Sequence, residues 1–248
     1  MSFWILILTG ITITTNVITN NMHITDEERE AVYKTIFSRR DVRKEFKLDR
    51  VSDETLMRIL TAAHHAPSVG FMQPWDFIVI RDTKIKKEIK TEFKRANSKA
   101  EKMFDGKKGE QYKSLKLEGI MEAPVGICVT CDRTRNGPVV LGRTSLPEMD
   151  LFSSVCAIQN MWLAARAENL GMGWVSIITN DALQTILGIP EHIVPIAYLC
   201  LGHVSQFHEK PELEEMGWLS REKLDELIHY ERWGATTANK FTAENITI

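Results

Sequence analysis

Apolar residues along this chain fall into short β-branched runs, separated by longer stretches in which charge and hydrophobicity mix. That is the pattern of strands alternating with helices. Thr25 followed by Asp26, Glu27 and Glu28 has the form of a capping box and predicts a helix reaching about Ser38. Ser52 caps a second helix, Asp53 to about His65, which Pro67 must end. Trp75 to Ile80 reads as a buried strand. Lys84 to Glu118 is charged and helical, broken at Asp105-Gly106-Lys107-Lys108-Gly109. Val125 to Cys131 predicts a second strand, Gly173 to Ile178 a third and Val194 to Leu201 a fourth. Between them, Asp150 opens a strong helix through Leu151, Val155, Ile158, Trp162 and Ala165, closed by Gly171, and a short helix covers Asp181 to Leu187. No hairpin signal, internal repeat or Gly/Ser/Pro linker interrupts the body, so helices are expected around one central sheet in one domain.

The ends differ from this body. The first 22 residues hold no Lys, Arg, Asp or Glu, and their apolar run, Phe3 to Leu8, is soon diluted by threonines. A loose appendage is the first expectation and a membrane anchor the second, and Met22 is a candidate natural start. Residues 234–248 read as a polar tail. The chain of 248 residues carries 31 Lys+Arg against 33 Asp+Glu, which gives no global pull towards nucleic acid. Four cysteines do not make a secreted disulfide framework, so a cytoplasmic, reducing location is expected, with no membrane partner.

Common motifs fail. Gly171-Met172-Gly173-Trp174-Val175-Ser176 lacks the third glycine of a dinucleotide fingerprint and follows a helix instead of opening one. Cys128 and Cys131 have redox or zinc spacing, but residues three apart on a regular strand face opposite ways, and no metal is expected. His64 and His65 sit at a helix end, where capping is the first reading and catalysis the second. Two clusters stand out. Arg39-Arg40-Asp41-Val42-Arg43 packs three guanidiniums around one carboxylate, which suits a phosphate or a carboxylate ligand, or else a solvated helix end. Ala66-Pro67-Ser68-Val69-Gly70-Phe71-Met72-Gln73-Pro74-Trp75 is a rigid loop that either approaches a ligand or merely turns the chain.

Together these clusters, in this order, resemble the nitroreductase-like FMN enzymes. Asp41 in place of their usual serine, Phe71 in place of a frequent asparagine, and Gly142-Arg143-Thr144, Pro147-Glu148-Met149-Asp150 and Gly173-Trp174-Val175-Ser176-Ile177 make the likeness strongest to the subgroup of 5,6-dimethylbenzimidazole synthases. The likeness runs from about Thr25 to Trp218. It implies an α+β nitroreductase-like fold, with a central mixed sheet surrounded by helices, in a domain-entwined homodimer at residues 23–233. It also implies oxygen-dependent fragmentation of reduced FMN to 5,6-dimethylbenzimidazole, the lower ligand of vitamin B12, with release of erythrose 4-phosphate. The alternatives are an NAD(P)H-dependent nitroreductase or flavin reductase that keeps its FMN, and a non-catalytic flavin carrier.

By the same resemblance, Asp41 is the base for a ribityl proton and Ser176 the donor near flavin N5 and C4a. Arg39 anchors the phosphate, and Arg40 serves the phosphate or holds Asp41. Arg43 lies at the N1/O2 edge, and Val42, Ser68 and Gly70 complete the flavin contacts. Residues 94–116, with Met103, form a lid that keeps water and nicotinamide out, so a separate flavin reductase supplies reduced FMN. Lys210 is a looser match for a further phosphate ligand.

Overall fold

The computed structural model describes residues 23–235; the first 22 residues, with the appendage expected there, and all but the start of the expected tail lie outside them. Helix α1 (Asp26–Ser38) begins at the expected capping box, with the Thr25 hydroxyl accepting from Glu28 N–H and the Glu28 carboxylate accepting from Thr25 N–H. It is followed by α2 (Asp53–His64), β1 (Trp75–Ile80), α3 (Thr83–Glu101) and α4 (Gly106–Ser114). Then come β2 (Val125–Asp132), α5 (Met149–Ala167), β3 (Gly171–Val175), α6 (Asn180–Leu187), β4 (Ile193–Gly202) and the single turn α7 (Glu212–Glu215).

The strand order is β1-β2-β4-β3, with every ladder antiparallel. The four-stranded sheet is thus antiparallel, and the parallel pairing found beside it is one isolated bridge, Asp41 to Met172, along the outer edge of β3. Side chains alternate across the sheet. Ile127, Val129, Leu199 and Leu201 join a core beneath α2 and α5 that includes Ile59, Ile158 and Met161. Cys128, Tyr198 and Cys200 face the other way, into a core with Ile89 and Phe93 of α3 and Leu183 of α6. The sheet is therefore covered on both sides, which is why β2 reads as one unbroken apolar run.

Three expectations shift. β1 lies at the sheet edge, so Asp76 and Val79 are exposed while only its two end residues, Trp75 and Ile80, are fully buried. The break between α3 and α4 comes earlier than Gly106, because Gly106 opens α4. α5 is apolar nearly all round, and its small stripe of Ser153, Ser154 and Ala157 takes the buried face while Phe152 and Val155 point outward. Small side chains let a helix lie close on a sheet, and hydrophobic periodicity alone does not choose between two apolar faces.

Cys128 and Cys131 are both buried free thiols, and burial pushes the Cys128 thiol up to about 12, so neither is poised for redox work. His65 caps α2, and its Nδ1 lies 2.8 Å from Thr61 O. His64 Nδ1 accepts from Trp75 Nε1–H at 3.2 Å and so helps seat the strand that follows.

Candidate active site

The arginine cluster leaves α1 in extended conformation and runs beside β3. Val42 N–H donates to Met172 O at 3.0 Å, and Trp174 N–H donates to Asp41 Oδ1 at 3.0 Å. This proximity explains the glycines of the failed dinucleotide motif. A Cβ on Gly173 would sit 2.0 Å from Val42 O, so only bare backbone lets the two segments meet.

The second Asp41 oxygen accepts from Arg43 at 2.5 Å. Burial drives the Asp41 carboxyl above its ordinary value, against the pull of Arg43 and the Trp174 amide, which favour the ionised form. Its side chain remains 29% exposed, facing an open cleft of about 670 Å³. Arg39, Arg40, Lys210 and Arg221 also line that cleft, together with Glu209, Glu214 and Gln159. Arg39 lies over the Trp162 ring at 4.9 Å, and Trp162 Nε1–H donates to Arg40 O at 3.3 Å, so one indole fixes both residues. Burial, together with the neighbouring Arg40 and Arg221 charges, lowers the Arg39 pKa despite Asp41. Four cations gathered this closely call for an anion, and the Arg40 Nε–H is buried without a partner. The donor set suits a phosphate group such as that of FMN.

The other expected site residues lie apart from this cleft. Val42 is buried behind it. Ser176 is exposed one residue beyond the end of β3, where a longer strand was expected. Ser68 and Gly70 belong to a loop docked on the other end of α5: Val69 N–H donates to the Ser153 hydroxyl, and Gln73 N–H to the Ser68 hydroxyl. Ser153 and Trp162 are about 13 Å apart along the helix axis at 1.5 Å per residue. Gly70 has φ +58°, and a Cβ there would meet Leu141 O at 2.7 Å, so the loop depends on this glycine. Phe71 beside it is 81% exposed and Leu141 85%.

Met103 lies exposed in the turn between α3 and α4. α4 is latched to the chain after α7: Phe104, Tyr112 and Trp218 form one aromatic cluster, and Lys108 Nζ donates to Trp218 O at 2.9 Å.

Arg221 escapes the reading of the sequence altogether. It sits alone in a polar stretch with no motif, and only the return of that stretch over the cleft gives it a role. Lys210, a loose match in sequence, lines the cleft directly. Among the described residues, no helix is long and apolar enough to cross a membrane.

The nitroreductase family model matches residues 36–203. The 5,6-dimethylbenzimidazole synthase of Rhodospirillum rubrum is 41% identical over 183 residues, covering 74% of this chain and 86% of that protein. The enzyme of the same name from Rhodobacter capsulatus is 34% identical over 197 residues, covering 79% and 95%. Among solved structures, iodotyrosine deiodinase bound to FMN and 3-iodo-L-tyrosine shares the fold at TM-score 0.65 and 21% identity, covering 82% of this chain and all of that one (100%). A nitroreductase-type protein of Desulfovibrio desulfuricans in complex with FMN matches at TM-score 0.57 and 27% identity, covering 82% and 97%. The family match spans all four strands and the arginine segment beside them, and two relatives exceed 30% identity along most of their own length: the chain belongs to the nitroreductase family and is an oxidoreductase.

Proposed function

We propose that this chain takes reduced FMN as a substrate and, with dioxygen, breaks it into 5,6-dimethylbenzimidazole, erythrose 4-phosphate and a third fragment that carries the pyrimidine part of the flavin ring. One observation carries the reading: a carboxylate, Asp41, stands at the wall of a four-cation cleft, its Oδ1 held by the Trp174 amide. A phosphate held by Arg39, Arg40, Lys210 and Arg221 would bring the ribityl arm attached to it towards Asp41. The similarity to the two named synthases supports the same assignment.

Reduced FMN supplies both the electrons for dioxygen and the carbon skeleton of the product. The protein's part is to hold and to move protons. Asp41, ionised, accepts a proton from the ribityl arm, and the Trp174 amide and Arg43 keep it aimed. Arg43 lends positive charge to the N1/O2 edge of the reduced ring. Ser176 offers its hydroxyl near N5 and C4a.

Because Ser68 and Gly70 dock at the far end of α5, they complete a flavin site only when a second copy brings them to the cleft, so the working unit is a homodimer. The outward apolar face of α5 and the exposed Phe71 and Leu141 favour that arrangement. Residues 94–116, carrying Met103, act as the lid, within a domain spanning residues 23–233, and a separate flavin reductase provides the reduced substrate. The chemistry takes place in the cytoplasm.

The test incubates chemically reduced FMN with the protein in oxygenated buffer and identifies products by mass. Dimethylbenzimidazole should form, and Asp41→Asn should abolish it while FMN still binds. Steady NAD(P)H oxidation with FMN recovered intact would establish a conventional nitroreductase or flavin reductase instead. Tight binding with no product would leave a carrier.

A further inference from the structure

Arg43 does not belong to Asp41 alone. Its Nη2 is 2.5 Å from Asp41 Oδ2, while Nη1 lies 3.6 Å from Glu212 Oε2 at the start of α7. The Arg43 and Glu212 side chains are only 12% and 10% exposed, so this second carboxylate is held in place behind the first. Its other oxygen lies 3.1 Å from Lys44 Nζ, and that contact raises the Lys44 pKa. Lys44 in turn approaches Glu45, which pairs with His208, and His208 pairs with Glu215. Glu212 therefore heads a fixed network, and its negative charge faces the rear of the guanidinium that steadies Asp41.

A carboxylate locked in an exclusive pair with arginine is a poor base, because the ion pair favours the ionised form and resists protonation. A guanidinium divided between two carboxylates stabilises each of them less. We infer that Glu212 is a positioning residue, which holds the far side of the Arg43 guanidinium and shares its charge, and so adds to burial in keeping Asp41 basic enough to take a proton from its substrate. This rests on the reading of Asp41 as the base.

The other groups facing Asp41 do not supply this function. Arg39 and Arg40 on its own segment, and Lys210 and Arg221 across the cleft, all favour the ionised carboxylate. Glu209 and Glu214 oppose them from the cleft wall, where solvent screens them. The Cys200 thiol of β4 is fully buried and stays neutral, because burial raises its pKa. Glu212 is the acid that touches Arg43 from the protected side.

The experiment follows the Asp41 carboxyl directly, by ¹³C NMR titration of the ligand-free full chain, in the wild type, Glu212→Gln and Glu212→Asp. Asp41→Asn identifies the resonance. Glu212→Gln should lower the Asp41 midpoint by about half a pH unit, the size expected for removing one like charge some way off. Glu212→Asp keeps the charge and should retain most of the wild-type midpoint. In turnover of reduced FMN, the acidic limb of the kcat profile should move the same way in Glu212→Gln, with KM little changed.

A merely structural tie would lower the amplitude and the melting temperature without moving either midpoint. An Asp41 midpoint in folded Glu212→Gln that coincides with wild type overturns this inference alone. If Glu212→Gln does not fold, a wild-type midpoint in Lys44→Met that fails to rise as Glu212 loses its other partner overturns it equally. An acidic limb that persists in Asp41→Asn overturns the base assignment, and this inference with it.

Discussion

Replacing Gly173 by alanine adds one methyl group at the point where the arginine segment touches β3. The new Cβ would stand 2.0 Å from Val42 O and 3.1 Å from Val42 C, both backbone atoms with no rotamer to escape into. The segment must retreat by about 1 Å or more to restore ordinary contact. Two hydrogen bonds span the joint at 3.0 Å each, Val42 N–H to Met172 O and Trp174 N–H to Asp41 Oδ1. The first is worth about 1 kcal/mol and the second, to a charged acceptor, about 1.5–3 kcal/mol, so their loss destabilises the fold by about 2.5–4 kcal/mol. Urea unfolding followed by tryptophan fluorescence reads this as a midpoint lower by ~1–2 M. Product formation from reduced FMN should fall by about a hundredfold, since a displacement of ~1 Å at a reacting group costs that much. A Gly173→Ala protein within ~0.5 kcal/mol of wild type and making product at the native rate would show that bare backbone is not what holds Asp41 in place.

Two further outcomes follow from the charges. Arg221→Ala removes one of the cleft's cations, and the Kd for reduced FMN should rise by about 10- to 100-fold, less at high salt, as titration calorimetry would read it; an unchanged Kd would take Arg221 out of the phosphate site. The hydrogen bond from His208 to Glu45 raises the His208 pKa, and Glu45, though burial works against it, ends below its ordinary value. The His208 contribution is therefore fully present below its unfolded value, near 6.5, and is lost as pH rises through the raised folded value. On the acid side, the Glu45 contribution is lost as pH falls through its depressed value. His208→Gln should cost about 1 kcal/mol near pH 6 and progressively less above it, measured as the difference in melting temperature from wild type. A difference that grows with pH would refute the pairing.

The capping box at Thr25, the strand Trp75–Ile80 and the alternation of strands with helices were legible because each depends on neighbours in sequence. A hydroxyl three residues from a carboxylate, or a short β-branched run, has much the same local physics in any fold. The arginine run and the Ser68 loop were equally visible as unusual chemistry, and the family resemblance followed from their order.

Tertiary structure alone decided what those pieces could do together. It put β1 at an edge, turned the small stripe of α5 inward, and made Gly171 and Gly173 the seat of the Asp41 segment instead of a nucleotide loop. It also brought Arg221 and Lys210 to Arg39, and Glu212 to the back of Arg43, across separations that no local pattern encodes. Charges act through space, at a range of a few ångströms, while motifs record only distance along the chain. The anion cleft and the divided guanidinium therefore became visible only once the fold closed.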